Sequence, residues 1–162
     1  FERAKIGNYH LGLKLVRGAY MEKERARATT NGYASPIQPN KEATDKDYNA
    51  ALVYCLENVA QMAICAGSHN EQSNLLLTQL MHKYAISNND QRIYFSQLLG
   101  MSDHISFNLA KAGYNVAKYV PYGPVNAVFP YLTRRAQENT SIAGQMGREL
   151  SLLIAEKKRR NN

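Results

Sequence analysis

At 162 residues, with 44% hydrophobic residues and a net charge of +7, the chain can bury one core and has no apolar stretch that could span a bilayer. Its two cysteines and four histidines stand at no disulfide-scaffold or metal-ligand spacing, so we expect no metal site. Glu156 and the four basic residues after it supply +3 of the charge in an expected frayed tail, and no basic stripe elsewhere predicts nucleic-acid binding.

In chain order, the first half contains one strand pattern followed by two helical patterns. The alternating run at residues 12–17 predicts a strand that ends before Gly18, and residues 21–30 predict a short charged helix. Two consecutive turn signals then predict a long loop up to Pro39. Thr44 is the predicted N-cap of the next helix, whose apolar stripe comprises Tyr48, Leu52, Leu56 and Val59.

The second half alternates in the same way. Short apolar runs that start near residues 62, 93 and 116 predict three further strands. Helices are predicted at residues 71–84, after Ser102, after Pro124 and at residues 145–158. Gly113 stands where a left-handed residue would end the helix that Ser102 caps.

Four strand-helix units in a row predict a parallel sheet, because parallel neighbours need a crossover connection. No strand is followed by a glycine-rich dinucleotide fingerprint, so half of a barrel fits better than a Rossmann fold. The start at Phe1, without an initiator Met, leads us to expect a part of a longer protein. The expected boundary separates a half-barrel at residues 1–144 from a C-terminal helix and basic tail at residues 145–162.

An arginine pair is the main candidate for binding an anion. Arg134 and Arg135 point about 100° apart on a helix, so two guanidinium forks can hold one carboxylate. Tyr131 and Glu138 lie three and four residues away on either side, where a ring can wall the site and a carboxylate can orient a guanidinium. Taken alone, these residues favour the alternative of a solvated basic face with one ion pair.

In a parallel barrel, functional residues lie at the carboxyl ends of the strands. These segments hold tyrosines, glycines, amides and His69, but no carboxylate pair for sugar chemistry, no G-x-S-x-G elbow and no Cys-His pair. This composition suits an anionic substrate beside a cofactor that carries the chemistry. Structural alternatives stay open, since Tyr20 could cap the rim, His69 could be an ordinary loop histidine, and Tyr119 and Tyr122 could be packing aromatics.

Several segments together resemble the proline dehydrogenase (proline oxidase) family. Five motifs match in order and spacing: Lys14-Leu15-Val16-Arg17-Gly18-Ala19-Tyr20, Ser68-His69-Asn70, Gln97-Leu98-Leu99-Gly100-Met101, Lys118-Tyr119-Val120-Pro121-Tyr122-Gly123-Pro124 and Tyr131-Leu132-Thr133-Arg134-Arg135-Ala136-Gln137-Glu138-Asn139. Residues 41–48 are also similar to the family's K-x-x-T-D-x-x-Y pattern. The resemblance covers about residues 12–140.

The resemblance implies the second half of a distorted (β/α)8 TIM-type barrel that holds FAD and oxidises L-proline to 1-pyrroline-5-carboxylate. Arg134 and Arg135 would pair with the proline carboxylate and, with Lys14, form the catalytic set, while Glu138 would orient the arginines. The residues implied to wall the proline ring are Tyr20, Leu98, Tyr119 and Tyr131.

The same resemblance implies which residues contact FAD. They are Lys14, Val16, Arg17, Gly18 and Ala19 from the first strand and Ser68, His69 and Asn70 from the second. Lys14 falls near the reactive flavin nitrogen, where many bacterial members have Arg. This departure keeps the positive charge but loses the planar fork.

Implied partners are L-proline, a quinone electron acceptor and the missing N-terminal half of the barrel, without nucleic acid. The expected location is cytoplasmic, extending to peripheral contact with the inner membrane, which would be the mitochondrial inner membrane in a eukaryote. Alone, the fragment is expected to be inactive. Two alternatives remain: a non-catalytic half-barrel that binds a partner or self-associates, and a different barrel enzyme whose arginine pair binds a phosphate-bearing substrate.

Overall fold

The computed structural model describes residues 1–17, 20–140 and 143–161, with the side chains of residues 134–149 left out. In this part of the chain, helices and strands follow one another as α1 (Glu2–Gly7), β1 (Leu11–Val16), α2 (Met21–Asn31), α3 (Lys41–Glu57), β2 (Met62–Gly67), α4 (Glu71–Lys83), β3 (Ile93–Leu98), α5 (Asp103–Lys111), β4 (Val116–Tyr119), α6 (Val125–Thr140) and α7 (Ala143–Arg160). None of the described helices is both long and apolar enough to cross a membrane.

The strands form one parallel sheet in the order β1-β2-β3-β4, which confirms the predicted α/β fold. β1 and β2 pair from Leu11 with Met62 to Val16 with Gly67. β2 and β3 pair from Ile64 with Ile93 to Gly67 with Ser96. Because the strands are parallel and in sequence order, their carboxyl ends lie at the same edge of the sheet.

The core lies between the sheet and helices α3 and α4. β2 alternates buried and half-buried residues, so Met62, Ile64 and Ala66 face the core. The largest fully buried apolar side chains are Leu52, Leu56, Leu77, Met81, Ile93 and Phe95. Each contributes about 1.5–3 kcal/mol by leaving water, so this layer fixes the sheet edge on which the candidate site is built.

Helix α3 begins four residues earlier than predicted. Asn40 is its N-cap, in an extended conformation, and its Oδ1 accepts a hydrogen bond of 2.8 Å from the Ala43 amide. Thr44 lies inside the first turns and donates its hydroxyl to the Asn40 carbonyl instead. The predicted cap at Thr44 was therefore wrong, because Asn is at least as good a cap and stood one turn upstream.

Other helix ends follow the sequence signals more closely. Gly113 adopts φ +83 just after the Ala112 C-cap of α5, as predicted from its position. Ser102 occupies the N-cap position of α5, but its side chain makes no capping hydrogen bond. Helix α1 was not predicted, because six residues carry too little periodicity to be recognised.

The described chain divides into two compact units, Phe1–Lys118 and Tyr119–Asn162. The second unit contains α6, with Pro130 inside it, and α7. α7 runs to Arg160, and the Glu156 carboxylate accepts hydrogen bonds from Arg159 and Arg160, which lowers its pKa to about 2. The chain is thus helical where a frayed tail was expected, and these pairs at helical spacing favour the last turn.

Candidate functional site

Arg17, the residue after β1, connects three segments at the carboxyl edge of the sheet. Its Nη1 donates a hydrogen bond of 2.6 Å to the Ser68 hydroxyl at the end of β2, and its Nη2 donates to the Ser73 hydroxyl in α4. Its Nε lies 2.9 Å from Asp45 Oδ1 of α3, although off the direction of a good hydrogen bond, so the contact is one of charge. We name these residues, with Tyr48, the Arg17 cluster.

Tyr48 covers one face of the guanidinium. The Arg17 Cζ lies 3.9 Å from the centre of the Tyr48 ring, a distance at which the ring quadrupole attracts the cation. Asp45 and Tyr48 stand three residues apart in α3, so one helix face presents both an anion and a π surface to Arg17.

Burial changes the ionisation of both stacked groups. The pKa of Arg17 is lowered because the guanidinium is desolvated, an effect that Asp45 opposes. Burial raises the pKa of Tyr48 to about 12, against the opposing effects of Arg17 and Ser68. The Tyr48 hydroxyl makes no hydrogen bond of good geometry with a described residue. At neutral pH, the stacked pair is therefore a cation against a neutral phenol.

The loop of residues 68–70 is held from several sides. The Ser68 amide continues the sheet by donating to the Ser96 carbonyl at 3.1 Å. The Ser68 carbonyl accepts from the side-chain amides of Asn74 and Gln97, at 3.1 and 3.2 Å. Asn70 is the N-cap of α4, since its Oδ1 accepts from the Ser73 amide at 3.0 Å. Buried polar groups that are satisfied in this way give a loop one defined conformation.

His69 connects this loop to the next one. Its Nδ1 lies 3.0 Å from the Ser102 hydroxyl, which explains why that hydroxyl does not cap α5. Ser102 is in the left-handed region at φ 51 and is almost fully buried. The carboxyl ends of β2 and β3 are therefore joined by side chains as well as by strand pairing.

Leu98, the predicted substrate residue at the end of β3, lies in a segment that Lys118 of β4 holds. The Lys118 ammonium donates to the Met101 carbonyl and to Asp103 Oδ1, both at 2.7 Å. Gly100 permits the turn between Leu98 and Met101 with φ +77, and the Met101 amide closes this turn by donating to the Leu98 carbonyl at 3.1 Å. The half-buried side chain of Leu98 thus stands at the start of a turn fixed at both ends.

Lys14 and Gly67 lie in adjacent strands near the same edge. A Cβ atom on Gly67 would come within 3.0 Å of Val16 Cγ1 and 3.1 Å of the Leu15 carbonyl, with Lys14 Cε at 3.5 Å. A larger residue would therefore have to displace Val16 or the backbone of β1 by a few tenths of an ångström. The exposed Lys14 side chain thus passes close to the end of β2.

Val16 and Tyr20 expose apolar surface around the end of β1. Val16 is 51% exposed and Tyr20 is 61% exposed. Tyr20 occupies the N-cap position of α2 with φ 58, a left-handed conformation that is uncommon for a residue with a bulky side chain. Gly18 and Ala19, two of the predicted cofactor residues, lie outside the described residues.

The second unit contains the other predicted substrate residues. The rings of Tyr119 and Tyr131 meet edge to face, with their centres 6.0 Å apart and their planes at 66°. The backbone of α6 is helical from Val125 to Thr140. The side chains of Arg134, Arg135 and Glu138 lie outside the described residues, so the anion clamp stays a prediction.

Sequence reasoning missed most of the residues that support this edge. Asp45 and Tyr48 fell within a recognised segment but received no role in the site, although their i, i+3 spacing could have indicated a shared partner. Gln97 could have been recognised, because an amide inside an apolar strand is the usual sign of a buried hydrogen-bond network. Ser73, Asn74 and Lys118 gave no signal, because their contacts are distant in sequence.

Comparison with known proteins gives consistent matches along almost the whole chain. The family described as "Proline dehydrogenase" matches residues 1–148. "Proline dehydrogenase 1, mitochondrial" of Homo sapiens is 48% identical over 98% of this chain and 27% of its own length, and the Drosophila melanogaster protein of that name is 45% identical over 98% and 25%. "Hydroxyproline dehydrogenase" of Homo sapiens is 44% identical over 98% of this chain and 35% of its own length.

Solved structures give the same result. Proline utilization A from Bdellovibrio bacteriovorus, inactivated by N-propargylglycine, superposes with a TM-score of 0.78 and 29% identity over 86% of this chain and 14% of that one. A bifunctional proline utilization A protein gives a TM-score of 0.72 and 26% identity over 85% and 14%. The chain thus spans about a quarter to a third of the curated relatives it matches.

Proposed function

Because this chain belongs to the proline dehydrogenase family, we propose that it contributes to an enzyme that oxidises L-proline to 1-pyrroline-5-carboxylate with FAD. The observation that carries the proposal is the contact between Arg17 and Ser68, which are 51 residues apart. It brings two motifs of the resemblance to one sheet edge, where parallel barrels place their sites. Residues 1–144 would form the second half of the barrel, and residues 145–162 a C-terminal helix.

The residues at this edge fit a flavin dinucleotide chemically. Lys14 is exposed and brings a positive charge that suits an anionic cofactor, while Val16 exposes an apolar surface that suits a flat ring system. His69 and Asn70 lie on a loop whose backbone is fixed by buried hydrogen bonds. A rigid loop is what binding a large cofactor needs, because less ordering entropy is lost.

We assign the cofactor contacts to two segments. Lys14, Val16, Arg17, Gly18 and Ala19 would contact FAD from the end of β1, with Arg17 contributing its backbone. Ser68, His69 and Asn70 would do so from the end of β2. When bound, FAD would supply the hydride acceptor, a reaction for which protein side chains have no equivalent.

We assign substrate binding to the arginine pair and to the residues implied to wall the proline ring. Arg134 and Arg135 would hold the proline carboxylate through charge-assisted hydrogen bonds, and Glu138 would orient them. Tyr20, Leu98, Tyr119 and Tyr131 would wall the ring and exclude water. The edge-to-face contact of Tyr119 with Tyr131 supports this assignment, because it fixes one aromatic surface on the helix that carries the arginines. Held this way, the substrate would meet the cofactor in one orientation.

Partners and location follow the same proposal. The electron acceptor would be a membrane quinone, and the remaining barrel strands would come from the rest of a longer protein. The relatives from Drosophila melanogaster and Homo sapiens are named mitochondrial. These names support a mitochondrial location for a eukaryotic form, and we propose that it would contact the inner membrane peripherally.

The test uses the purified full-length protein that carries this chain. We expect a flavin absorbance spectrum that bleaches on addition of L-proline, and slower bleaching with 4-hydroxyproline, which serves as the comparison because of the 44% identical hydroxyproline dehydrogenase. Arg135→Met should raise the KM for proline by about 100-fold, since a charged hydrogen bond contributes about 1.5–3 kcal/mol. Arg159→Met, at an exposed arginine of α7, is the matched control.

Three results would contradict all or part of the proposal. Full-length protein that takes up no flavin would exclude the oxidase function. An unchanged KM for Arg135→Met would reject the carboxylate clamp and favour a substrate bound by other residues. Faster bleaching by 4-hydroxyproline than by proline would keep the flavin chemistry and change the substrate.

A further inference from the structure

The Arg17 side chain lies at the predicted cofactor edge, yet its contacts point into the protein. We propose that Arg17 is a positioning residue, which sets the conformation of the 68–70 loop through the Ser68 hydroxyl and thereby the affinity of that loop for the flavin. The inference rests on the proposed function for the identity of the ligand. The positioning itself rests on contacts between described residues.

All three guanidinium nitrogens already have partners. Nη1 and Nη2 donate to Ser68 and Ser73, and Nε faces the Asp45 carboxylate. The Tyr48 ring covers one face of the guanidinium, and only 17% of the Arg17 side chain is exposed. A side chain with this set of contacts acts on the protein around it, since releasing it toward a ligand would break both serine hydrogen bonds and leave Asp45 with only the exposed Lys41 as a cation.

Ser68 is the point through which Arg17 acts. Its hydroxyl accepts from Arg17 Nη1 at 2.6 Å and from the Asn70 amide at 3.1 Å. The Asn70 side chain in turn caps α4. The position of the Ser68 hydroxyl therefore determines where the Asn70 backbone lies, and with it the conformation of His69 between them.

The contacts require arginine. Three separate targets surround a planar fork, and the flat guanidinium stacks on Tyr48. A lysine at this position would keep one positive charge near Asp45 but could not reach Ser68 and Ser73 together in that plane. Arg17→Lys thus removes the positioning while leaving the charge pair.

The experiment is a double-mutant cycle in the full-length protein, with the FAD dissociation constant as the readout. Arg17→Lys and Ser68→Ala should each weaken FAD binding by about tenfold. If Arg17 acts through Ser68, the FAD dissociation constant of the double variant should be at most about twice the larger of the two single-variant values. Effects that multiply to about 100-fold would overturn the proposal, because they would mean that the two side chains act independently.

A second readout does not depend on the flavin. Amide hydrogen exchange of residues 68–74 should be at least tenfold faster in Arg17→Lys than in the wild type. Unchanged exchange would overturn the positioning role. If the wild type binds no FAD, the proposed function fails, and this measurement still decides whether Arg17 holds the loop.

Controls separate positioning from general damage. Arg92→Lys alters an exposed arginine in another Arg–Asp pair and should leave both FAD affinity and exchange at residues 68–74 unchanged. Where Arg17→Lys is too unstable to purify, Ser73→Ala removes one acceptor of the same fork and should still raise exchange several-fold. No change in Ser73→Ala would count against the proposal.

Discussion

Two arginine–aspartate pairs lie at opposite ends of the strands, one at the carboxyl ends and one at the amino ends. Arg17 follows β1 and approaches Asp45, which is 28 positions away in sequence, with only 17% and 24% of the two side chains exposed. Arg92 precedes β3 and forms a two-pronged pair with Asp90, two residues away, with Nε–Oδ1 and Nη2–Oδ2 distances of 2.9 and 2.6 Å. The Arg92 side chain is 45% exposed.

The pair with the better hydrogen-bond geometry is the one that connects less of the protein. Arg92 and Asp90 belong to the same turn, so their contact closes a very short loop and is partly screened by water. Arg17 has the poorer geometry toward Asp45, but its contacts join β1, α3, β2 and α4. Ion-pair geometry alone is therefore a poor guide to which pair organises a site.

The largest expected effect breaks the buried pair. Arg17→Met should lower the free energy of unfolding by about 2 kcal/mol, because it removes the hydrogen bonds to Ser68 and Ser73 and leaves Asp45 with only the exposed Lys41 as a cation. Arg92→Met should cost about 1 kcal/mol or less. Urea unfolding of both variants in the full-length protein checks this. Equal losses in the free energy of unfolding would show that the buried pair stabilises the fold no more than the exposed one.

An effect of similar size concerns the packing of the two ends of the sheet. Gly67→Ala, at the carboxyl edge, should cost about 2 kcal/mol, since its Cβ would meet Val16 and the Leu15 carbonyl. Gly12→Ala, in the first half of β1, has no atom within 4 Å of its Cβ and should be neutral or slightly stabilising. Thermal unfolding of the two variants compares the edges directly, and a harmless Gly67→Ala would remove the argument for tight packing.

Alkaline pH should sharpen the contrast further. The pKa of Tyr48 is raised from 10.0 to about 12, so the folded state holds the phenol proton more tightly than the unfolded state. The free energy of unfolding therefore keeps its full value below pH 10 and falls by about 2 kcal/mol as the pH rises to 12. Tyr48→Phe should lack this loss in urea unfolding at pH 9 to 12, whereas an identical loss would place its cause elsewhere.

Acid pH should reveal the exposed pair, with the smallest effect. Hydrogen bonds from Arg92 lower the pKa of Asp90 from 3.8 to about 2. The pair therefore stabilises the fold above pH 4 and loses that contribution as the pH falls toward 2, by about 1 kcal/mol after allowance for solvent. In Asp90→Asn, the free energy of unfolding measured in urea should fall by about 1 kcal/mol less between pH 4 and pH 2 than in the wild type. The same fall in both proteins would contradict the assignment.

The sequence predicted the strands well because apolar runs and helical stripes are local signals. All four strands lie where expected, and the buried residues Tyr48, Leu52 and Leu56 belong to the predicted stripe. The N-cap was misplaced because Asn40 and Thr44 are both good caps one turn apart. Only the surrounding chain decides between them.

The candidate site was predictable only in part. Motif positions indicated Arg17, Ser68 and Asn70, but not that the Arg17 fork would point inward. That direction depends on Asp45, Tyr48 and Ser73, which reach Arg17 only after the sheet has formed. Arg134 and Arg135 stay predictions from sequence.

The left-handed backbone of Tyr20 has a consequence for how this protein can evolve. A non-glycine residue in such a conformation costs about 1–3 kcal/mol when its surroundings hold it there. Tyr20→Gly would release that cost and raise the melting temperature, while removing a ring proposed to wall the substrate. Under the proposed role, selection for stability and selection for substrate binding would oppose each other at this residue, so a variant chosen for stability alone would lose the tyrosine ring first.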